Sequence, residues 1–177
     1  RDLAFAGAGV VAYACTIGSL FAGAAAEARL IDSLAEASGK PAISLAATCM
    51  AALRAVGARR LAIMTPYNTE TNGWVADYVE HQGFAVAGFL TTPVGIVEVG
   101  NMQPAEIAAF AIAQMARHPE ADALWIPCTA IQTMDAIATI EAVTGRPVIS
   151  GTQALLWDAL RILGIADPIR GAGSLFG

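Results

Sequence analysis

Short apolar runs alternate along this chain with longer stretches in which apolar residues recur every three or four positions. The short runs predict strands at Val10–Ala14, Ala42–Ser44, Leu61–Thr65, Phe84–Leu90, Ala123–Ile126 and Val148–Ser150. The longer stretches predict helices over Leu20–Ser38, Ala47–Val56, Asn72–Gln82, Pro104–Arg117, Thr133–Thr144 and Thr152–Leu163. Pro104 suits a helix start, and Gly39, Gly57, Gly83, Gly145 and Gly164 suit helix ends. Strands that alternate with helices imply an α/β fold with mostly parallel sheets flanked by helices. In such sheets ligands bind beyond the carboxyl ends of the strands. Cys15, Tyr67 and Cys128 all fall there.

The chain also repeats itself. Val10–Ala14 runs into Cys15-Thr16, and Ala123–Pro127 runs into Cys128-Thr129. Gly39-Lys40-Pro41-Ala42-Ile43-Ser44 is echoed by Gly145-Arg146-Pro147-Val148-Ile149-Ser150, and Ala52-Leu53-Arg54 by Ala159-Leu160-Arg161. The three matches keep their order and nearly the same offset, which points to two related α/β lobes. The expected division is residues 1–56 with 151–177 in lobe one and 57–150 in lobe two.

Composition narrows the class. Hydrophobic residues make 56% of the chain and charged residues 14%, which excludes a disordered segment. A net charge of -5 gives no basic face for nucleic acid. Leu3 to Ala26 carries no charge and is long enough to cross a bilayer, but it is mostly Ala and Gly, interrupted by Thr16, Gly18 and Ser19. A buried strand with apolar flanks is the expectation, with no membrane partner. Cys15, Cys49 and Cys128 have no CxxC spacing, and His81 and His118 stand apart from them, so neither a disulfide framework nor a metal site is expected. Free thiols suit a cytoplasmic protein. The chain opens on Arg1 rather than Met, and a preceding start is expected.

Cys15 closes one strand and precedes a helix, where unpaired N–H groups favour a thiolate and can hold a carboxylate. Cys128 has the same expected setting, with Pro127 stiffening the turn. Two thiols at matching places can serve the two faces of one substrate without metal or cofactor. Cys49 lies inside a helical pattern and reads as packing. Tyr67, in Thr65-Pro66-Tyr67-Asn68, can donate its hydroxyl to a substrate oxygen. Asp135, Glu141 and Asp158 read as solvent-facing or capping residues, and both histidines as surface residues. Gly7-Ala8-Gly9 precedes its strand and so is no dinucleotide fingerprint.

Taken in order, Ala14-Cys15-Thr16 with Gly18-Ser19, Thr65-Pro66-Tyr67 with Asn72, Cys128-Thr129 with Thr133-Met134-Asp135, Gly145–Ser150 and Trp157 resemble the maleate isomerase group of the aspartate/glutamate racemase superfamily. That group also holds arylmalonate decarboxylases and the ectoine utilisation protein A. The resemblance implies two pseudo-twofold-related lobes with the active site in the cleft between them, and no cofactor. It implies Cys15 as nucleophile and Cys128 as the second thiol, which gives or takes a proton. Tyr67 would bind a substrate carboxylate; Thr16, Ile17 and Thr129 would form anion-holding loops, with Asn72 also at the substrate. Arylmalonate decarboxylases have glycine at the first cysteine, so Cys15 argues against decarboxylation. Ile17 stands where relatives often have Ser, which removes a hydroxyl and leaves a backbone N–H. Family members usually begin with another strand and a substrate-contacting loop before this point, a piece not seen from Arg1 onward, in keeping with the expected preceding start.

The expected activity is cis-trans isomerisation of maleate to fumarate by thiolate addition. One alternative is racemisation or epimerisation of an α-substituted carboxylic or amino acid. Another, of a different class, is a non-catalytic small-acid binding or thiol redox-sensing module. The expected partners are a small carboxylate or dicarboxylate substrate and further copies of the chain.

Overall fold

In the computed structural model, residues 7–21 and 23–177 are described. The elements run β1 (Val11–Tyr13), α1 (Thr16–Phe21), α2 (Ala24–Ser38), β2 (Ala42–Ser44), α3 (Leu45–Ala55), β3 (Arg60–Thr65), α4 (Thr69–His81), β4 (Ala85–Thr91), α5 (Pro104–Met115), β5 (Ala123–Ile126), α6 (Met134–Thr144), β6 (Val148–Ser150) and α7 (Gly151–Ile162). Single 3-10 turns lie at Val99–Asn101 and Ser174–Phe176.

Two parallel sheets carry the fold. β1 pairs with β2, setting Tyr13 beside Ser44. The larger sheet has the order β4-β3-β5-β6, all parallel. Strand alternation divides its side chains between two cores. Leu61, Ile63 and Trp125 pack with Leu53, Val75 and Ala154 from α3, α4 and α7. Ala62, Met64, Leu124 and Ile126 pack with Ile107 and Ala111 of α5 and Ile137 and Ile140 of α6. Both faces of β3 and β5 are therefore covered, which is why these strands read as unbroken apolar runs.

The sequence echo is a structural echo. Ser44 ends β2 and caps α3, accepting from the Ala47 N–H at 3.3 Å. Ser150 ends β6 and caps α7, accepting from the Gln153 N–H at 3.3 Å. Gly39 and Gly145 each end a helix with φ 65°, a left-handed conformation that a side chain disfavours.

The predicted helix over Leu20–Ser38 is two helices. Gly23, at φ 77°, separates α1 from α2 and turns the chain between them. Of the uncharged run beginning at Leu3, residues 3–6 and 22 lie outside the described residues. The rest is divided among β1, α1 and the start of α2. No helix among the described residues is long and apolar enough to cross a membrane.

Candidate active site

The carboxyl ends of β1, β3 and β5 open into one cleft of about 620 Å³. Its floor and walls include Cys15, Thr16 and Ile17 after β1, Pro66 and Tyr67 after β3, and Cys128 and Thr129 after β5. Six of the seven sequence candidates thus meet in one place. No Lys, Arg or His is among the described residues that line it. A bound anion would be held by hydroxyl, thiol and backbone N–H groups in a low-dielectric wall, where each such donor counts for more than in water.

The two thiols differ in setting. Cys15 is exposed, and its sulfur accepts from the Gly18 N–H at 3.4 Å. Cys128 is buried. The expectation of a helix start directly after each cysteine holds only for Cys15, and there the helix has six residues. After Cys128 the chain makes a turn, with the Ile131 N–H bonded back to the Cys128 carbonyl, and α6 begins only at Met134.

Tyr67 stands between the thiols. Burial pushes its hydroxyl well above the usual tyrosine range, and the Cys128 sulfur beside it raises it further; the Thr16 hydroxyl opposes and Cys15 adds a smaller push upward. The phenol therefore stays protonated and serves as a donor. Thr16 has already spent its own proton: its Oγ1 donates to the Pro127 carbonyl at 2.6 Å, joining the β1 loop to the β5 loop. What Thr16 and Ile17 offer a ligand is their first-turn N–H groups.

Asn72 does not line the cleft. It is buried one helical turn into α4, where its Oδ1 accepts from Thr65 Oγ1 at 2.7 Å and its Nδ2 donates to the Tyr67 carbonyl at 3.4 Å. It braces the loop that carries Tyr67 rather than reaching a ligand. Asn68 caps α4 by accepting from the Thr71 N–H at 2.9 Å, and both residues face the cleft.

Outside the cleft, Cys49 is fully buried, and burial raises its thiol to about 12. His81 is exposed and bonded to the Asp77 carbonyl. His118 is half-buried, close against Gly88 and 3.5 Å from Glu120. Glu141 is not a free surface acid: it accepts from the Val148 N–H, the Ser174 N–H and the Ser174 hydroxyl, pinning the C-terminal segment. Asp158 accepts from Thr48 Oγ1 at 3.1 Å, joining α7 to α3. Among the described residues no group of side chains could hold a metal ion.

Further neighbours of the site escaped the sequence reading. Gly95 and Ile96, in the loop after β4, form one wall, and Ile96 is half exposed there. Tyr13 sits two residues before Cys15, and its hydroxyl and the Cys15 sulfur both lie over Gly18.

A family model described as arylmalonate decarboxylase matches residues 1–176. The chain is 30% identical over 178 residues to the arylmalonate decarboxylase of Bordetella bronchiseptica, an alignment that covers 99% of this chain and 74% of that protein. A crystal structure of arylmalonate decarboxylase superposes with a TM-score of 0.91 at 30% identity, over 99% of this chain and 78% of the other. The maleate cis-trans isomerase of Nocardia farcinica, a cysteine-to-serine variant with a covalently bound succinylcysteine intermediate, superposes with a TM-score of 0.86 at 29% identity, over 99% and 74%. The α/β fold with its cleft at the strand ends therefore belongs to a class of decarboxylases and isomerases within the aspartate/glutamate racemase superfamily. Within it, this chain belongs to the arylmalonate decarboxylase family.

Proposed function

We propose that this protein is a two-cysteine isomerase that converts maleate to fumarate. The observation that carries the reading is the placement of Cys15 and Cys128 on opposite β-loops of one cleft, with the protonated Tyr67 hydroxyl between them. Glycine stands at the first of these positions in the arylmalonate decarboxylases this chain resembles, so Cys15 tips the chemistry toward addition. The succinylcysteine intermediate of the Nocardia relative is the adduct such an addition would form.

The Cys15 thiolate attacks one olefinic carbon of maleate, forming a C–S bond. The π pair moves to the other carbon and spreads into its carboxylate. Tyr67 and the N–H groups of Thr16 and Ile17 stabilise that charge as it grows. Cys128 gives its proton to the carbanionic carbon, completing a succinyl thioether. The former double bond is now single and rotates. Cys128, now a thiolate, takes a proton back, the C–S electrons return to Cys15, and fumarate leaves. Protons and electrons balance over the cycle.

The test is proton NMR of the protein with maleate in D₂O, with small α-substituted acids in parallel. The expected result is a fumarate signal that a Cys15→Ser variant abolishes. Deuterium entering an α-position without fumarate would replace this reading with racemisation. Inert samples throughout would leave a binding module.

A further inference from the structure

Tyr13, the last residue of β1, is absent from the cycle above. A β-carbon built on Gly18 would lie 2.1 Å from the Tyr13 hydroxyl oxygen and 3.3 Å from Cys15 Sγ. The phenol therefore sits directly on the first turn of α1, in space that only glycine leaves open, and the sulfur lies beside the same glycine. The Gly18 N–H approaches that sulfur at 3.4 Å. One backbone donor thus reaches the thiol, and a side-chain hydroxyl lies over the same glycine.

We propose that Tyr13 is a positioning residue for Cys15: its hydroxyl, seated on Gly18, hydrogen-bonds the thiolate and holds the sulfur toward the cleft. The chemistry of the pair agrees. Burial first, then the neighbouring Cys15 sulfur, raises the Tyr13 hydroxyl above its usual range, so it remains a donor. A donor to the charged form favours that form. The arrangement parallels the other side of the cleft, where Tyr67 and Cys128 line the same wall and the Cys128 sulfur raises the Tyr67 hydroxyl further after burial. Each thiol then has a tyrosine of its own, one from the strand before it and one from across the cleft.

The test does not require turnover, so it stands apart from the isomerase reading. Alkylation of each cysteine by iodoacetamide is followed by peptide mass spectrometry across pH, in the parent chain and in Tyr13→Phe. The variant is expected to move the Cys15 profile upward by about one pH unit, the size of one hydrogen bond to a charged group. Cys128 keeps its profile, and the buried Cys49 stays silent, reporting an intact fold. An unmoved Cys15 profile, or an equal shift at Cys128, would overturn the proposal. If Cys49 becomes reactive in Tyr13→Phe, Gly18→Ala is read instead, because its methyl group must displace the hydroxyl. The same two outcomes then decide.

Discussion

Leu45 and Gly151 occupy equivalent places in the two halves of the sequence echo, and they meet. Leu45 is the first residue of α3 and Gly151 the first of α7, each following its capping serine. A β-carbon on Gly151 would lie 3.0 Å from Leu45 Cδ1 and 2.8 Å from the Pro127 carbonyl oxygen. Where two related halves pack around a common axis, equivalent residues compete for one space, and here one of them is reduced to a hydrogen. The same Pro127 carbonyl accepts the Thr16 hydroxyl, so the contact sits directly behind the site.

Gly151→Ala is therefore expected to destabilise the fold by about 1–3 kcal/mol, because a backbone oxygen cannot move aside as a side-chain tip does. Turnover should fall by more than stability explains, since the displaced loop carries Cys128. Urea unfolding and steady-state kinetics on the same preparation check both parts. A variant as stable and as active as the parent would show that the β5 loop yields freely.

Thr16 ties the β1 loop to the β5 loop through one hydroxyl. Thr16→Val keeps the shape and leaves the Pro127 carbonyl without its donor, at a cost of about 1–3 kcal/mol. Thr16→Ser restores the hydroxyl and should recover most of the loss. Equal stabilities for the valine and serine variants would mean that the hydrogen bond contributes little and the methyl contact carries the position.

Much of this architecture was legible beforehand, for reasons that can be traced to particular residues. The buried strands β5 and β6 coincide with their predicted ranges because runs such as Ala123–Ile126 are apolar on both faces and bounded by turn residues. That Cys15, Tyr67 and Cys128 share one cleft was legible because parallel topology gathers strand ends. The break at Gly23 was not, since a helical period continues across it and only the positive φ shows the turn. Nor was the role of Asn72: a polar residue early in a helix looks the same in sequence whether it faces a ligand or braces a loop. Its bonds to Thr65 and Tyr67 decide the matter.

Tyr67→Phe separates catalysis from stability. The hydroxyl lies in the cleft beside Cys128, and the ring packs against both cores. Removing the oxygen should lower kcat by about a hundredfold or more, as for the loss of one oxyanion donor, with only a small change in the unfolding midpoint. A loss seen only in KM would assign Tyr67 to ground-state binding instead.

The three cysteines give a last test, which reads burial as a pH dependence. Cys15 is exposed, Cys128 lies in the wall of the cleft, and Cys49 is sealed in the core. Ellman's reagent should therefore titrate two thiols in the native protein and three in denaturant. Burial raises the Cys49 thiol from 9.0 to about 12, because the interior penalises its charged form. The folded state thus holds this proton more tightly than the unfolded chain does. Its contribution is fully present below pH 9.0, the unfolded value, and is lost as pH rises toward about 12. Over that window stability should fall by about 1.4 kcal/mol per pH unit from this one group. Burial raises Tyr67 and Tyr78 in the same direction, so they steepen the alkaline limb further. Denaturant melts from pH 8 to 11 on the parent and on Cys49→Ala check the sign. The alanine variant starts from a lower stability, because it leaves a small cavity, but its alkaline limb should be shallower. Parallel limbs would mean that Cys49 ionises without opening the core.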